Sequence, residues 1–118
     1  MILVVDDDPL VQRTCQLCLE PLGYKLAFAG SGTEAMERIA SNPISLMLID
    51  VFMPDMDGIE TLLCVKKRNP AMPIIVMSGG TARPGIDFLD VAMKFGADQA
   101  IAKPFTAKDL IAVLSKYH

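Results

Sequence analysis

Short apolar runs alternate along this chain with segments of helical period. Residues 2–5 (ILVV) form a continuous run rich in β-branched side chains, the pattern of a strand buried on both faces. Asp8 and Pro9 follow as a helix cap and a first-turn proline. Val11, Cys15, Cys18 and Leu22 then recur at spacings of four, three and four, which predicts one buried helix face. Pro21 interrupts regular hydrogen bonding there, and Gly23 supplies the closing turn. Residues 25–29 read as a second strand. Ser31 and Glu34 frame a capping box that opens a helix to about Asn42, where Asn42-Pro43 stops it.

The alternation continues to the end. Residues 45–50 (SLMLID) predict a third strand, and a loop with Pro54 and Gly58 leads into a helix over 59–68, ended by Asn69-Pro70. A fourth strand falls at 74–77, a glycine- and proline-containing loop at 78–85, a helix at 86–95 and a short fifth strand at 99–102. Thr106 opens the last helix, with Asp109 at the capping-box position and Leu110 and Leu114 on one buried face. Strands separated by single helices imply a parallel sheet covered on both faces. The expected architecture is α/β: a flavodoxin-like (βα)5 doubly wound parallel five-stranded sheet, strand order 2-1-3-4-5, with residues 1–118 as one domain.

Composition narrows the functional classes. An apolar fraction of 52% with 21% charged residues excludes intrinsic disorder. No apolar run approaches the roughly 20 residues of a membrane span, and the short apolar start, followed at once by three aspartates, does not read as a secretory signal. Three cysteines in that setting point to a reducing cytoplasm. The net charge of −3 argues against direct nucleic-acid binding, which needs a basic surface. The distribution of acid says more than its total: Asp6, Asp7, Asp8, Asp50, Asp55 and Asp57 hold six of the fourteen acidic residues in two short clusters.

Ligands of such sheets bind beyond the carboxyl ends of the strands, at the switch point between the first and third. Strand one ends in Asp6 and Asp7, strand three in Asp50, strand four in Ser78 and strand five in Lys103. Three converging carboxylates repel one another, and a bound cation relieves that repulsion. Oxygen ligands with few carboxylates favour Mg²⁺ completed by water and a phosphate oxygen. Lys103 and Ser78 can serve the same phosphate, and a carboxylate can be the nucleophile. The residues therefore point to Mg²⁺-assisted phosphoryl transfer onto an aspartate.

The segments ILVVDDDP, LMLIDVFMPDMDG, IIVMSGG and the late KPF together resemble the receiver domain of two-component response regulators. The resemblance covers essentially the whole chain, and its four motifs are specific in this order and spacing. It implies Asp50 as phosphoacceptor, with Mg²⁺ held by Asp6 (through water), Asp7, Asp50 and the backbone carbonyl of Phe52. It implies Ser78 as the switch hydroxyl, Lys103 as the phosphate-pairing lysine, and a cis bond before Pro104. The implied partners are a sensor histidine kinase or histidine phosphotransfer protein, and a downstream target reading the face of the fourth helix, fifth strand and fifth helix. Ile111 and Tyr117 are the exposed apolar candidates on that face. The domain is expected to be a monomer or a phosphorylation-dependent dimer, with no membrane contact. It would hydrolyse its own aspartyl phosphate slowly. Both a stand-alone regulator and a receiver cut from a larger protein fit the sequence.

Two departures bear on switching. The family's usual aromatic residue three positions before the lysine is Ala100 here, so an aromatic rotamer cannot report phosphorylation, and the 78–85 loop with its following helix is expected to carry the signal. Phe52 and Gly80 occupy the positions that tune phosphoryl loss, and bulky Phe52 is expected to shield the acyl phosphate. Other features read as structural. Asp8 is an N-cap, Asp55 and Asp57 are loop and helix-start acids, Cys15, Cys18 and Cys64 pack inside, and the 66–68 basic run complements a helix dipole. Three rivals remain open at this point. A flavodoxin-type nucleotide binder is disfavoured by the phosphate-repelling Asp6-Asp7-Asp8-Pro9 loop. An aspartyl-phosphate hydrolase of the haloacid dehalogenase type needs an acid where Phe52 stands. A receiver-shaped interaction module that is never phosphorylated would not need the chemical residues present.

Overall fold

A computed structural model describes residues 1–51, 58–78 and 88–117, without the side chains of Phe88, Leu89 and Val91. The strands are β1 (Ile2–Val5), β2 (Leu26–Ala29), β3 (Leu46–Asp50), β4 (Ile74–Ser78) and β5 (Gln99–Ala102). They form one parallel sheet in the order β2-β1-β3-β4-β5, which is the expected doubly wound topology. Helices α1 (Pro9–Leu19), α2 (Gly32–Ser41), α3 (Gly58–Arg68), α4 (Phe88–Lys94) and α5 (Ala107–Leu114) link or follow the strands.

Alternate residues of each strand feed two apolar layers, as a sheet buried on both faces requires. Leu3, Val5, Met47, Ile49, Ile74 and Val76 pack with Ala35, Leu62, Val65 and Ala92 of α2, α3 and α4. Ile2, Val4, Leu48, Ile75, Met77 and Ile101 pack with Cys15 and Leu19 of α1 and Leu110 and Leu114 of α5. The register sets Val5 beside both Ala29 and Ile49, Asp50 beside Met77, and Ser78 beside Ala102. One edge of the sheet therefore collects the carboxyl ends of all five strands.

The predicted N-caps form, although the Ser31–Glu34 box closes only halfway: the Glu34 carboxylate accepts the Gly30 amide at 3.3 Å rather than that of Ser31. Asp8 Oδ1 accepts from the Leu10 amide at 2.9 Å, Ser31 caps α2 through the Glu34 amide, and Thr106 and Asp109 close a reciprocal capping box on α5. Hydrogen bonding from the Thr106 backbone and side chain to the Asp109 carboxyl holds it below its ordinary 3.8. The α1 face needs a correction. The helix ends at Leu19, and residues 20–22 tighten into a 3₁₀ turn before Gly23 at φ 93°. The tighter turn rotates Leu22 away from the core, where it is 56% exposed, and Leu19 fills the buried place instead. Helical spacing cannot be carried through Pro21, because the pitch changes there.

A close backbone approach fixes the site edge. Gly58 opens α3 against the end of β3: a Cβ there would overlap the Asp50 carbonyl oxygen and stand 2.6 Å from the Val51 Cα. The Gly58 amide donates to the Val51 carbonyl at 3.0 Å, so only glycine lets the helix start this close to Asp50. At the opposite edge, Lys66 Nζ donates to Asp98 Oδ2 at 2.8 Å and to the Met72 carbonyl at 2.9 Å.

Candidate functional site

β1 hands the chain to α1 through Asp6 and Asp7. The Asp6 amide still bonds the Ala29 carbonyl, at 3.0 Å, and its side chain is fully buried while Asp7 is exposed. β3 ends on buried Asp50, and β4 on buried Ser78. The Ser78 carbonyl accepts the Lys103 amide at 2.7 Å, which carries the strand pairing one step past β5 and aims Lys103 across the edge. The Lys103–Pro104 peptide bond is cis, as the resemblance implied.

The side chains converge. Lys103 Nζ lies 2.6 Å from Asp6 Oδ2 and 3.2 Å from Asp50 Oδ2. One carboxylate oxygen from each of Asp6, Asp7 and Asp50 falls within 4.8 Å of the other two. Burial alone would weaken the Lys103 ammonium, but hydrogen bonds and attraction from Asp6 and Asp50 outweigh it and raise its pKa above the ordinary 10.5. The lysine is thus charged at any physiological pH. It already neutralises part of the acid, and the acid still exceeds it.

The donor set is oxygen only, close-set and carries excess negative charge. That fits a hard divalent cation of the size of Mg²⁺ better than a transition metal, which would draw on His or Cys. Asp8 stays outside the cluster, because its carboxylate is spent on the α1 cap. Phe52, Asp55, Asp57, Gly80 and the 79–85 loop lie outside the described residues, so the expectations placed on them rest on the sequence.

Some contacts had no sequence signal. The Asp8 amide donates to Asp6 Oδ1 at 2.9 Å, and Gln12 Nε2 donates to the Asp6 carbonyl at 2.9 Å. A glutamine at a half-buried helix position reads as ordinary surface until β1 and α1 are seen together. The cysteines are free. Burial, with Cys18 and Asp6 nearby, pushes the Cys15 thiol up to about 12, which leaves it protonated and unreactive. Cys15 lies in the core and Cys18 packs half-buried against it, so the pair serves packing.

The family model for the response regulator receiver domain matches residues 2–115. The chain belongs to this family. Curated relatives include the transcriptional regulatory protein ZraR of Escherichia coli K12, 40% identical over 115 residues, covering 98% of this chain and 25% of that protein. The chain thus spans about a quarter of the length of that relative. Among solved structures, the receiver domain of NtrX from Brucella abortus matches with a TM-score of 0.90 at 28% identity, covering 99% of this chain and 97% of that one. A response regulator receiver domain protein from Clostridium thermocellum matches with a TM-score of 0.87 at 31% identity, covering 98% and 91%.

Within this receiver domain the outer face differs from expectation at one position. Ile111 is 36% exposed, as predicted, but Tyr117 packs half-buried against the core beside α1 and α5. The tyrosine ring has apolar area to bury, and the turn after α5 brings it back onto Leu114, whose carbonyl accepts the Tyr117 amide at 3.0 Å. Ala100 is half-buried and packs on the α4 side of the sheet.

Proposed function

We propose that this receiver domain accepts a phosphoryl group on Asp50 from a histidine kinase or a histidine phosphotransfer protein. The observation that carries the reading is the clamp of Lys103 across Asp6 and Asp50, with Asp7 completing an acidic cluster at the strand ends. Asp6, Asp7, Asp50 and the Phe52 carbonyl would hold Mg²⁺. Both Asp6 oxygens already accept hydrogen bonds, which favours contact from Asp6 through water. Bound Mg²⁺ neutralises charge on the transferring group.

The residues divide the rest of the work. An Asp50 oxygen forms the new P–O bond as the P–N bond of the donor breaks, and the imidazole nitrogen leaves with the electron pair. Lys103 pairs with one phosphoryl oxygen and the Ser78 hydroxyl donates to another, stabilising charge as it develops. A groove of about 280 Å³, lined by Leu10, Val11, Thr14, Pro104 and Phe105, opens beside Lys103 and suits an apolar helix of the donor. Slow loss of the phosphoryl group to water returns the domain to its starting state.

Phosphorylation then biases a two-state equilibrium, and a downstream partner reads the α4–β5–α5 face. The three free thiols suit a reducing compartment, and we take the chain to act in the cytoplasm as a monomer or a phosphorylation-dependent dimer. With Ala100 in place of an aromatic residue, the 78–85 loop and α4 carry the change.

Acetyl phosphate with Mg²⁺ should add one phosphoryl group to the parent chain, seen by mass spectrometry. Neither Asp50→Asn nor the parent chain in EDTA should gain it. Absence of Mg²⁺-dependent modification in the parent would overturn the reading.

A further inference from the structure

Asp6 contributes more than a carboxylate. Its amide closes the ladder to β2, and its two side-chain oxygens take the Asp8 amide and Lys103. Its carbonyl stands just past the end of β1, and there Gln12 Nε2 reaches down from α1 to donate to it at 2.9 Å. The acceptor is a carbonyl, so it is the amide nitrogen of Gln12 that must face it. That one bond fixes the plane of the peptide joining Asp6 to Asp7. Asp7 is exposed, sits on a bend and directly follows that peptide, so a tilt of the peptide would shift the backbone that carries its carboxylate.

We propose that Gln12 is a positioning residue for the acidic pair: it locks the Asp6–Asp7 peptide so that both carboxylates serve the same divalent cation. An apolar side chain at this half-buried position would offer no donor and leave the carbonyl free to tilt. The inference rests on reading Asp6, Asp7 and Asp50 as a divalent-cation site.

The test is a Mg²⁺ titration followed by amide NMR on the parent, Asp7→Asn, Gln12→Met and Gln12→Glu. Removing the outer hydrogen-bond partner of a metal ligand typically costs ~10–100-fold in affinity. Gln12 acts through a peptide, so Gln12→Met is expected at the low end, about tenfold weaker. The Asp7 amide nitrogen should also shift in the metal-free spectrum, since hydrogen bonding at the preceding carbonyl polarises that peptide. A residue that only filled space would not move this signal. Gln12→Glu swaps donor for acceptor, and it too should bind more weakly than the parent despite its added negative charge. Parent-like Mg²⁺ affinity in both Gln12 variants, with the Asp7 nitrogen unmoved, would overturn the inference. A parent that binds no Mg²⁺, or binding that Asp7→Asn leaves unchanged, would instead sink the cation-site reading and take this inference with it.

Discussion

Lys66 and Lys103 are buried to nearly the same degree, with side chains 19% and 18% exposed, and each donates to an aspartate. Around Lys66 the charges cancel. It meets one carboxylate, Asp98, whose Oδ2 also accepts the Ile74 amide at 2.8 Å. The Met72 carbonyl takes another of its protons, and the result is a closed knot tying the end of α3 to the starts of β4 and β5. Lys103 faces Asp6 and Asp50 with Asp7 close by. Three carboxylates against one ammonium leave that cluster at a formal charge of 1 − 3, about −2. The difference is neither burial nor the presence of an ion pair. What differs is an uncancelled negative charge held in place by the fold, which a bound cation would neutralise.

The sharpest way to break this comparison is to remove each lysine in turn. Lys103→Met should slow phosphoryl uptake from acetyl phosphate by about 100-fold, the usual order for losing one electrostatic partner of a transition state. Without Mg²⁺ the same change should cost about 2 kcal/mol of stability, because the buried Asp6 and Asp50 carboxylates lose the ammonium that offsets their charge. Added Mg²⁺ should recover much of that loss by binding only the folded chain. Uptake at the parent rate would mean that Lys103 is as structural as Lys66. Lys66→Met should show the converse. Denaturant melts should reveal a loss of about 1–2 kcal/mol from the broken charged hydrogen bonds, while Mg²⁺ affinity and phosphoryl uptake stay within about twofold, as for distant independent sites. A Lys66 variant with weakened Mg²⁺ binding would show that the two clusters are coupled through β4.

The contrast also shows what a sequence can disclose. Asp6, Asp50, Ser78 and Lys103 each end a strand of clear apolar pattern, so topology alone brings them to one edge, and the fold and the site were legible together. Lys66 was legible only as part of a basic helix end. Its partner Asp98 lies 32 residues away, with no periodicity linking them, so the knot appears only once α3 and the α4–β5 turn are packed. Gln12 escaped for the same reason. Gly58 was readable as a turn residue, but its contact with the Asp50 backbone depends on how tightly α3 docks. Leu22 failed because a helical period was extended across a proline. Pattern thus locates elements and their ends, while contacts between elements without a shared period need the packed chain.

The smallest effect lies on the pH axis, and it separates charge at the clamp from packing. The pKa of Lys103 is raised above 10.5 in the folded chain. A group of that kind contributes its stability fully below the unfolded pKa and loses it as pH rises through the folded value. The stability gap between the parent and Lys103→Met should therefore stay level from about pH 8 to about pH 10 and begin to close only above 10.5. By about pH 11 the closure should still be well under 1 kcal/mol. Urea unfolding of both proteins across this range, without Mg²⁺, measures it. A gap that closed before pH 10 would mean that the ammonium is not held by Asp6 and Asp50 in solution. A gap that never closed would mean that the lysine contributes through its methylene packing, as an ordinary buried side chain does, and the distinction between the two clusters would then rest on the carboxylates alone.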